Sequence, residues 1–144
     1  MRRLRYSIIF AACLAVIWFS PIGQTLRQFY SFDHLEDRAK GVITGSKLQA
    51  WATNLVAHPP SNGWTYANRL GTNFPRQLLG IYDHPPHISV YEPDTNSPGW
   101  VRIAWGGGMI GSSGFEIGPT NFTGYCRGHR WQDGVYFWRD QDQR

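Results

Sequence analysis

Residues 88–105 read ISVYEPDTNSPGWVRIAW and contain two runs in which side chains alternate in character. The first run, 88–91, places apolar residues at Ile88 and Val90, and the second, 100–105, places them at Val101, Ile103 and Trp105. A period of two is typical of half-buried β-strands. The intervening residues, 92–99, are rich in Pro, Asp, Asn, Ser and Gly, which favour turns. We therefore expect a β-hairpin here.

The flanking sequence adds further short elements. Residues 114–117 and 135–138 are expected as additional strands. A helix is predicted from a cap at Ser46 to His58, where Pro59 disfavours its continuation. A shorter helix is predicted from Pro75, and a helical turn ends at Gly41. The predicted fold class is α+β: a small, mainly antiparallel sheet with one or two helices packed on its apolar face.

The N-terminus has the pattern of a membrane-targeting segment. Three arginines, Arg2, Arg3 and Arg5, precede an apolar run without charge from Ile8 to Phe19. No small-residue cleavage site follows Phe19, which favours an uncleaved anchor over a cleaved signal peptide. The positive-inside rule then predicts a cytoplasmic N-terminus and a non-cytoplasmic C-terminal domain. The expected organisation is a signal-anchor or transmembrane segment at 1–23, a neck at 24–43 and a single globular domain at 44–144; secretion after cleavage is the alternative.

Charge and cysteine content exclude two classes of protein. Of the 14 Lys and Arg residues, 11 remain once the three N-terminal arginines are set aside, against 10 acidic residues. Because the chain beyond the N-terminus has no basic cluster, we predict no nucleic-acid partner. Cys126 is the only cysteine beyond residue 23, so an intramolecular disulfide framework is also excluded for the domain.

Residues 106–111, GGGMIG, formally match the dinucleotide-binding pattern G-x-G-x-x-G. That motif requires a helix immediately after it, so that the helix N-terminus meets the pyrophosphate. Gly114, Gly118 and Pro119 make the following stretch a poor helix. Turns, a bulge or close backbone packing are therefore favoured over nucleotide binding.

Two short motifs raise the hypothesis of a metal site. His84 and His87 flank two prolines, and Cys126 precedes His129 with the Cys-x-x-His spacing found in zinc sites. Together they supply four potential tetrahedral ligands. The favoured interpretation is structural, with histidines that hydrogen-bond turns and a small buried cysteine. We therefore predict no cofactor; zinc is the alternative, if the four residues converge.

Glu116 is the candidate for acid–base catalysis. It lies between Phe115 and Ile117, which are expected to face the core, so Glu116 is expected to point away from it. An ordinary surface glutamate is the favoured interpretation, because nothing in the sequence indicates a perturbed pKa.

A candidate ligand-binding platform lies on the solvent-facing side of the predicted hairpin. Trp100, Arg102 and Tyr91 are expected opposite Val101 and Ile103, as an aromatic and cationic surface suited to a sugar or an extended peptide. For Trp100 itself, burial at an edge of the domain or under a helix is the favoured interpretation. We predict a membrane-anchored binding or assembly module whose partner is an envelope protein or a glycan. A small metalloprotein or enzyme with a His/Cys site is the alternative.

Overall fold

The computed structural model describes residues 34–82, 84–106, 111–126 and 128–140, together with Val16, Ser20 and Gly23. The chain divides into two compact units, residues 1–34 and 35–144. In the first unit the Ser20 hydroxyl accepts a hydrogen bond from the Gly23 amide at 3.2 Å. The predicted anchor, 1–23, otherwise lies outside the described residues. Among those that are described, no helix combines the length and apolar content needed to cross a membrane.

The second unit is built on one six-stranded sheet in the order β1-β2-β3-β4-β6-β5. Its neighbouring strands are all antiparallel. The strands are β1 (Trp64–Tyr66), β2 (His87–Tyr91), β3 (Trp100–Gly106), β4 (Ser112–Ile117), β5 (His129–Gln132) and β6 (Val135–Arg139). Two helices, α1 (Leu35–Val42) and α2 (Gly45–Ala57), precede the sheet. The α+β class is confirmed, and so is the hairpin, which consists of β2 and β3.

One face of the sheet packs under the helices and forms the core. Register pairs Val101 with Ile117 and Ile103 with Phe115, so these four side chains share that face. They are buried together with residues of both helices: Leu35, Ala39, Leu48, Ala52 and Leu55. Burial of apolar surface is the main stabilising term for such a domain.

Helix α2 begins two residues earlier than the sequence predicts. Its N-cap is Thr44, whose hydroxyl accepts from the Lys47 amide at 3.4 Å, and Ser46 lies inside the helix. Gly45 is buried against the Gln132 side chain, where a Cβ atom would collide. Glycine at the first position of the helix permits this close approach of the Gln132 side chain. It ends before Pro59, as predicted, with His58 as its C-cap.

Other elements differ from the sequence-based prediction. The helix expected from Pro75 is only a 3-10 turn, Arg76–Leu78. Strands β1 and β5 were not predicted. Within the predicted neck, 24–43, the helical turn expected to end at Gly41 is α1, which ends at Val42, and its Leu35 and Ala39 are fully buried.

The glycine-rich stretch leads into a strand. Residues 107–110 of the formal G-x-G-x-x-G match lie outside the described residues, and β4 starts at Ser112, directly after Gly111, the last glycine of the match. The expectation that no helix follows the motif is therefore confirmed.

The other face of the sheet, called here the second face, is aromatic and polar. Strand register assigns to it the side chains of Trp64, Tyr66, His87, Ser89, Tyr91, Trp100, Arg102, Glu116, Tyr136 and Trp138. Residues 118–126, which link β4 towards β5 and are called here the covering loop, fold back over the middle of this face. Hydrogen bonds from the Tyr125 and Cys126 amides to Glu116 fix that position.

Candidate functional site

Tyr91 and Trp100 form the centre of an aromatic cluster on the second face. They are direct partners across β2 and β3, and their rings stack in parallel with centroids 3.9 Å apart and 5° between the planes. Cross-strand aromatic pairs of this kind stabilise a sheet and hold both rings in one orientation. Tyr91 remains 39% exposed, whereas Trp100 is only 6% exposed.

The covering loop supplies two further rings. Phe122 stacks on Trp100 at 5.4 Å, and Tyr125 lies nearly parallel to Trp100 at 6.0 Å. Phe122 is buried, but the Tyr125 side chain is 81% exposed. The indole of Trp100 is thus mostly buried, while its neighbours Tyr91 and Tyr125 present rings to solvent.

Glu116 is fully buried beneath the covering loop, which corrects the expectation of a surface glutamate. Its direction, away from Phe115 and Ile117, is as predicted. One carboxylate oxygen accepts from Arg102 Nη2 at 2.6 Å, and the other accepts from the backbone amides of Tyr125 at 2.6 Å and Cys126 at 2.9 Å. Because both carboxylate oxygens are occupied by these donors, Glu116 connects the covering loop to β3 and fixes it on the sheet.

Arg102 lies between two indole rings. Its guanidinium carbon is 5.4 Å from the Trp100 ring centroid and 4.9 Å from that of Trp138. Burial by itself lowers the pKa of Arg102, but the hydrogen bond and negative charge of Glu116 outweigh this effect and raise it. Arg102 is thus permanently charged, and its charge is already balanced by Glu116.

Cys126 is adjacent to this ion pair without being an activated thiol. Arg102 Nη2 lies 3.1 Å from Cys126 Sγ. Burial, followed by the hydrogen bond and charge of Glu116, raises the pKa of the thiol to about 11. The neutral thiol therefore predominates at neutral pH, and a nucleophilic role for Cys126 has no electrostatic support.

A recess of about 400 Å³ opens beside the aromatic cluster. It is lined by Tyr91, Glu92, Asp94, Ser97, Trp100, Arg102 and Tyr125. The Asp94 carboxylate accepts from the Asn96 and Ser97 amides, both at 2.7 Å, and this Asx turn shapes the rim. Because Glu116 already balances Arg102, the lining carries a net negative charge from Glu92 and Asp94.

The four candidate metal ligands are not gathered into one site. In the described part of the chain, no group of three or more His, Cys, Asp or Glu side chains is arranged to hold a metal ion. His84 is exposed and contacts Tyr82 edge-on, while His129 approaches Glu36 at 3.8 Å. His87 lies on the second face, stacked on Trp64 at 5.3 Å, and burial lowers its pKa.

The structure brings together the three predicted binding residues, Tyr91, Trp100 and Arg102, and adds Glu116 as their support. Sequence reasoning missed Tyr125 and the rim residues Glu92, Asp94 and Ser97. The rim falls in the stretch that the sequence assigned only to a turn. Tyr125 reaches the site through a loop contact that no periodicity encodes.

No model of a known protein family matches this chain, and neither does a curated protein or a solved structure.

Proposed function

We propose that the second unit is a carbohydrate-binding module that receives a sugar in the recess beside Tyr91 and Tyr125. The observation that carries this proposal is the set of parallel rings over Trp100, two of them exposed, at the wall of a recess of about 400 Å³. A recess of this size falls within the usual range for small-molecule sites.

The ring geometry supports a flat ligand with one apolar side. The C–H groups on one side of a pyranose ring pack well on an aromatic face, and Tyr and Trp combine such a face with a polar group at the edge. Trp100 holds Tyr91 in place through stacking at 3.9 Å. The Tyr91 ring is therefore held in place before a ligand arrives, which lowers the entropic cost of binding.

The polar rim supports a ligand with hydroxyl groups. Glu92 and Asp94 present carboxylate oxygens that accept hydrogen bonds, and Ser97 presents a hydroxyl. Their uncompensated negative charge disfavours acidic sugars. A neutral glycan thus matches the recess better than an anionic one.

The test is a titration of the full-length protein with neutral monosaccharides and disaccharides, followed by calorimetry and NMR. We expect saturable binding that Tyr91→Ala and Tyr125→Ala each weaken about tenfold, the loss of one stacking contact of roughly 1.4 kcal/mol. Tyr66→Ala is the matched control, because Tyr66 is 42% exposed on the same face but does not line the recess. Equal losses in Tyr91→Ala and Tyr66→Ala, or no binding to any sugar, contradict the proposal.

We further propose, from the sequence, that residues 1–23 anchor the module on the non-cytoplasmic side of a membrane. The three arginines and the apolar run Ile8–Phe19 support this topology. We expect the protein to resist alkaline extraction from membranes and the second unit to be digested by protease added outside the cytoplasm. Release by alkali, or protection from external protease, contradicts the anchor.

A further inference from the structure

The second face continues past the recess to the edge of the sheet, where two more large aromatic side chains are exposed. Trp64 is 45% exposed and Tyr66 42% exposed, and both lie on β1. The register pairs Trp64 with Ser89 and Tyr66 with His87, so both side chains are on the same face as Tyr91.

The edge residues form an ordered cluster. The Trp64 ring stacks on His87 with centroids 5.3 Å apart and 28° between the planes. Tyr66 meets the same imidazole edge-on at 5.6 Å and Trp64 edge-on at 6.1 Å. Packing against His87 holds the Trp64 indole in one orientation while almost half of its surface faces solvent.

The position of Trp64 next to Tyr91 in the sheet connects this cluster to the recess. Trp64 is the diagonal neighbour of Tyr91, since its direct partner Ser89 lies two residues before Tyr91 on β2. Diagonal neighbours of this kind lie about 7–8 Å apart, within reach of large aromatic side chains. The Trp64 ring itself stacks on His87, the diagonal neighbour on the other side of Ser89, so Trp64, Tyr91 and Tyr125 form a row of separate exposed rings across the strands rather than one continuous stack.

We propose that Trp64 is a second stacking subsite and that the natural ligand is a neutral oligosaccharide long enough to reach from Tyr125 to Trp64. This inference rests on the proposed function and specifies its ligand. A single sugar cannot contact both ends of a row that crosses β1, β2 and the covering loop, whereas a chain of several sugars places successive units over successive rings.

Charge along the row supports a neutral glycan over other occupants. Glu92 and Asp94 leave the recess end negative, while Arg102 is neutralised by Glu116. An anionic membrane surface is therefore repelled at that end. At the other end Arg69 lies over the Tyr66 ring at 6.0 Å, so the row has no single sign of charge along its length.

The experiment compares chain lengths. The full-length protein and Trp64→Ala are titrated with β-1,4-linked oligomers of glucose and of N-acetylglucosamine, from the disaccharide to the hexasaccharide. We expect affinity for wild type to rise with length, and Trp64→Ala to lose about tenfold on the hexasaccharide while its disaccharide affinity is unchanged. Trp64→Phe, which keeps a ring, is expected to recover most of the loss, and Val42→Ala, which removes exposed apolar surface from α1, is expected to have no effect.

The outcomes separate the two proposals. Disaccharide and hexasaccharide binding that Trp64→Ala leaves unchanged overturns the second subsite and leaves the recess intact. No binding of any oligomer overturns both. Binding of an extended peptide or of neutral phospholipid vesicles that depends on Trp64, in place of the hexasaccharide, overturns the second subsite alone. As a check without mutation, the indole N–H resonance of Trp64 in wild type is expected to shift with the hexasaccharide and not with the disaccharide.

Discussion

At the scale of single residues, the Glu116 carboxylate has the most consequential environment in this domain. It is fully buried and satisfied by one guanidinium and two backbone amides. Removing its charge leaves Arg102 partly buried without a counterion, and breaking buried ion pairs is costly. We expect Glu116→Gln to lower the free energy of unfolding by about 3 kcal/mol, the lower end of the range because Arg102 retains some exposure.

Denaturant unfolding measures this cost. Glu36→Gln is the control, because Glu36 also forms an ion pair, at 2.7 Å, but with the exposed Lys40 one turn along α1. Its expected cost is about 0.5 kcal/mol or less. Similar values for the two variants would mean that the Glu116 network does not fix the covering loop.

The Cys126 thiol provides a second prediction at this scale. Burial, together with Glu116, raises its pKa from 9.0 to about 11. About one hundredfold less thiolate is then present at neutral pH than in the unfolded chain. In a Cys13→Ser background, we expect alkylation of the native protein by iodoacetamide to be slower by about that factor than alkylation in denaturant.

The same pKa difference links stability to pH. Because the folded protein holds the Cys126 proton more tightly, this group's contribution to stability is complete below the unfolded-state pKa near 9 and is lost as pH rises towards about 11. Cys126→Ser is expected to flatten the stability profile in that window. Rapid alkylation of the native thiol, or an unchanged profile in the serine variant, would contradict the raised pKa.

At the scale of the elements, Gly114 sets how closely β3 and β4 pair. A Cβ atom at this position would overlap the carbonyl oxygen of Ile103 on the neighbouring strand. We expect Gly114→Ala to destabilise the protein by about 3 kcal/mol, as a severe case of overpacking against backbone. Gly41→Ala, in α1 with no atom near the added methyl group, is expected to stabilise it by about 0.5–1 kcal/mol through helix propensity.

Thermal and denaturant unfolding of the two alanine variants distinguish the positions. A neutral Gly114→Ala variant would mean that β3 and β4 move apart without loss, and the register that places Arg102 opposite Glu116 would then not be rigid.

The strands that were predicted correctly are those in which apolar residues alternate with polar ones and the apolar residues face the core. In β2 and β3 the helix-facing positions, such as Ile88 and Ile103, are apolar, so period two identifies them. In β1 the pattern is the opposite, because the polar Thr65 faces the core while the aromatic Trp64 and Tyr66 face solvent. In β5 no residue is buried, so that strand carries no pattern to recognise.

The part of the site that lies on the predicted hairpin could also be predicted. Tyr91, Trp100 and Arg102 follow from hairpin register, which sequence alternation encodes. The covering loop does not, because its position depends on hydrogen bonds to Glu116 from residues nine and ten positions later in the chain. The burial of Glu116 could therefore not be predicted from the residue pattern of its own strand.

At the scale of the whole molecule, the residue at which the second unit begins can be tested with two deletions. The structure begins this unit at Leu35, whereas the sequence predicted a domain from residue 44. Helix α1 contributes Leu35 and Ala39 to the core, followed by Ile43, and the Arg38 guanidinium donates a 3.0 Å hydrogen bond to the Ile81 carbonyl oxygen. Deleting these residues exposes the apolar surface that they cover.

We therefore expect a variant lacking residues 1–33 to unfold cooperatively and to keep sugar binding, since the second unit contains its own core. A variant lacking residues 1–43 is expected to lose about 3–5 kcal/mol, comparable to truncating one or two large core side chains. Because single domains are stable by only about 5–15 kcal/mol, this loss leaves the longer deletion marginal or unfolded. Denaturant unfolding of the two variants measures the difference directly. If the two variants are equally stable, the domain begins at residue 44 and does not need α1. If the longer deletion is less stable by the expected amount, α1 is part of the scaffold that supports the second face.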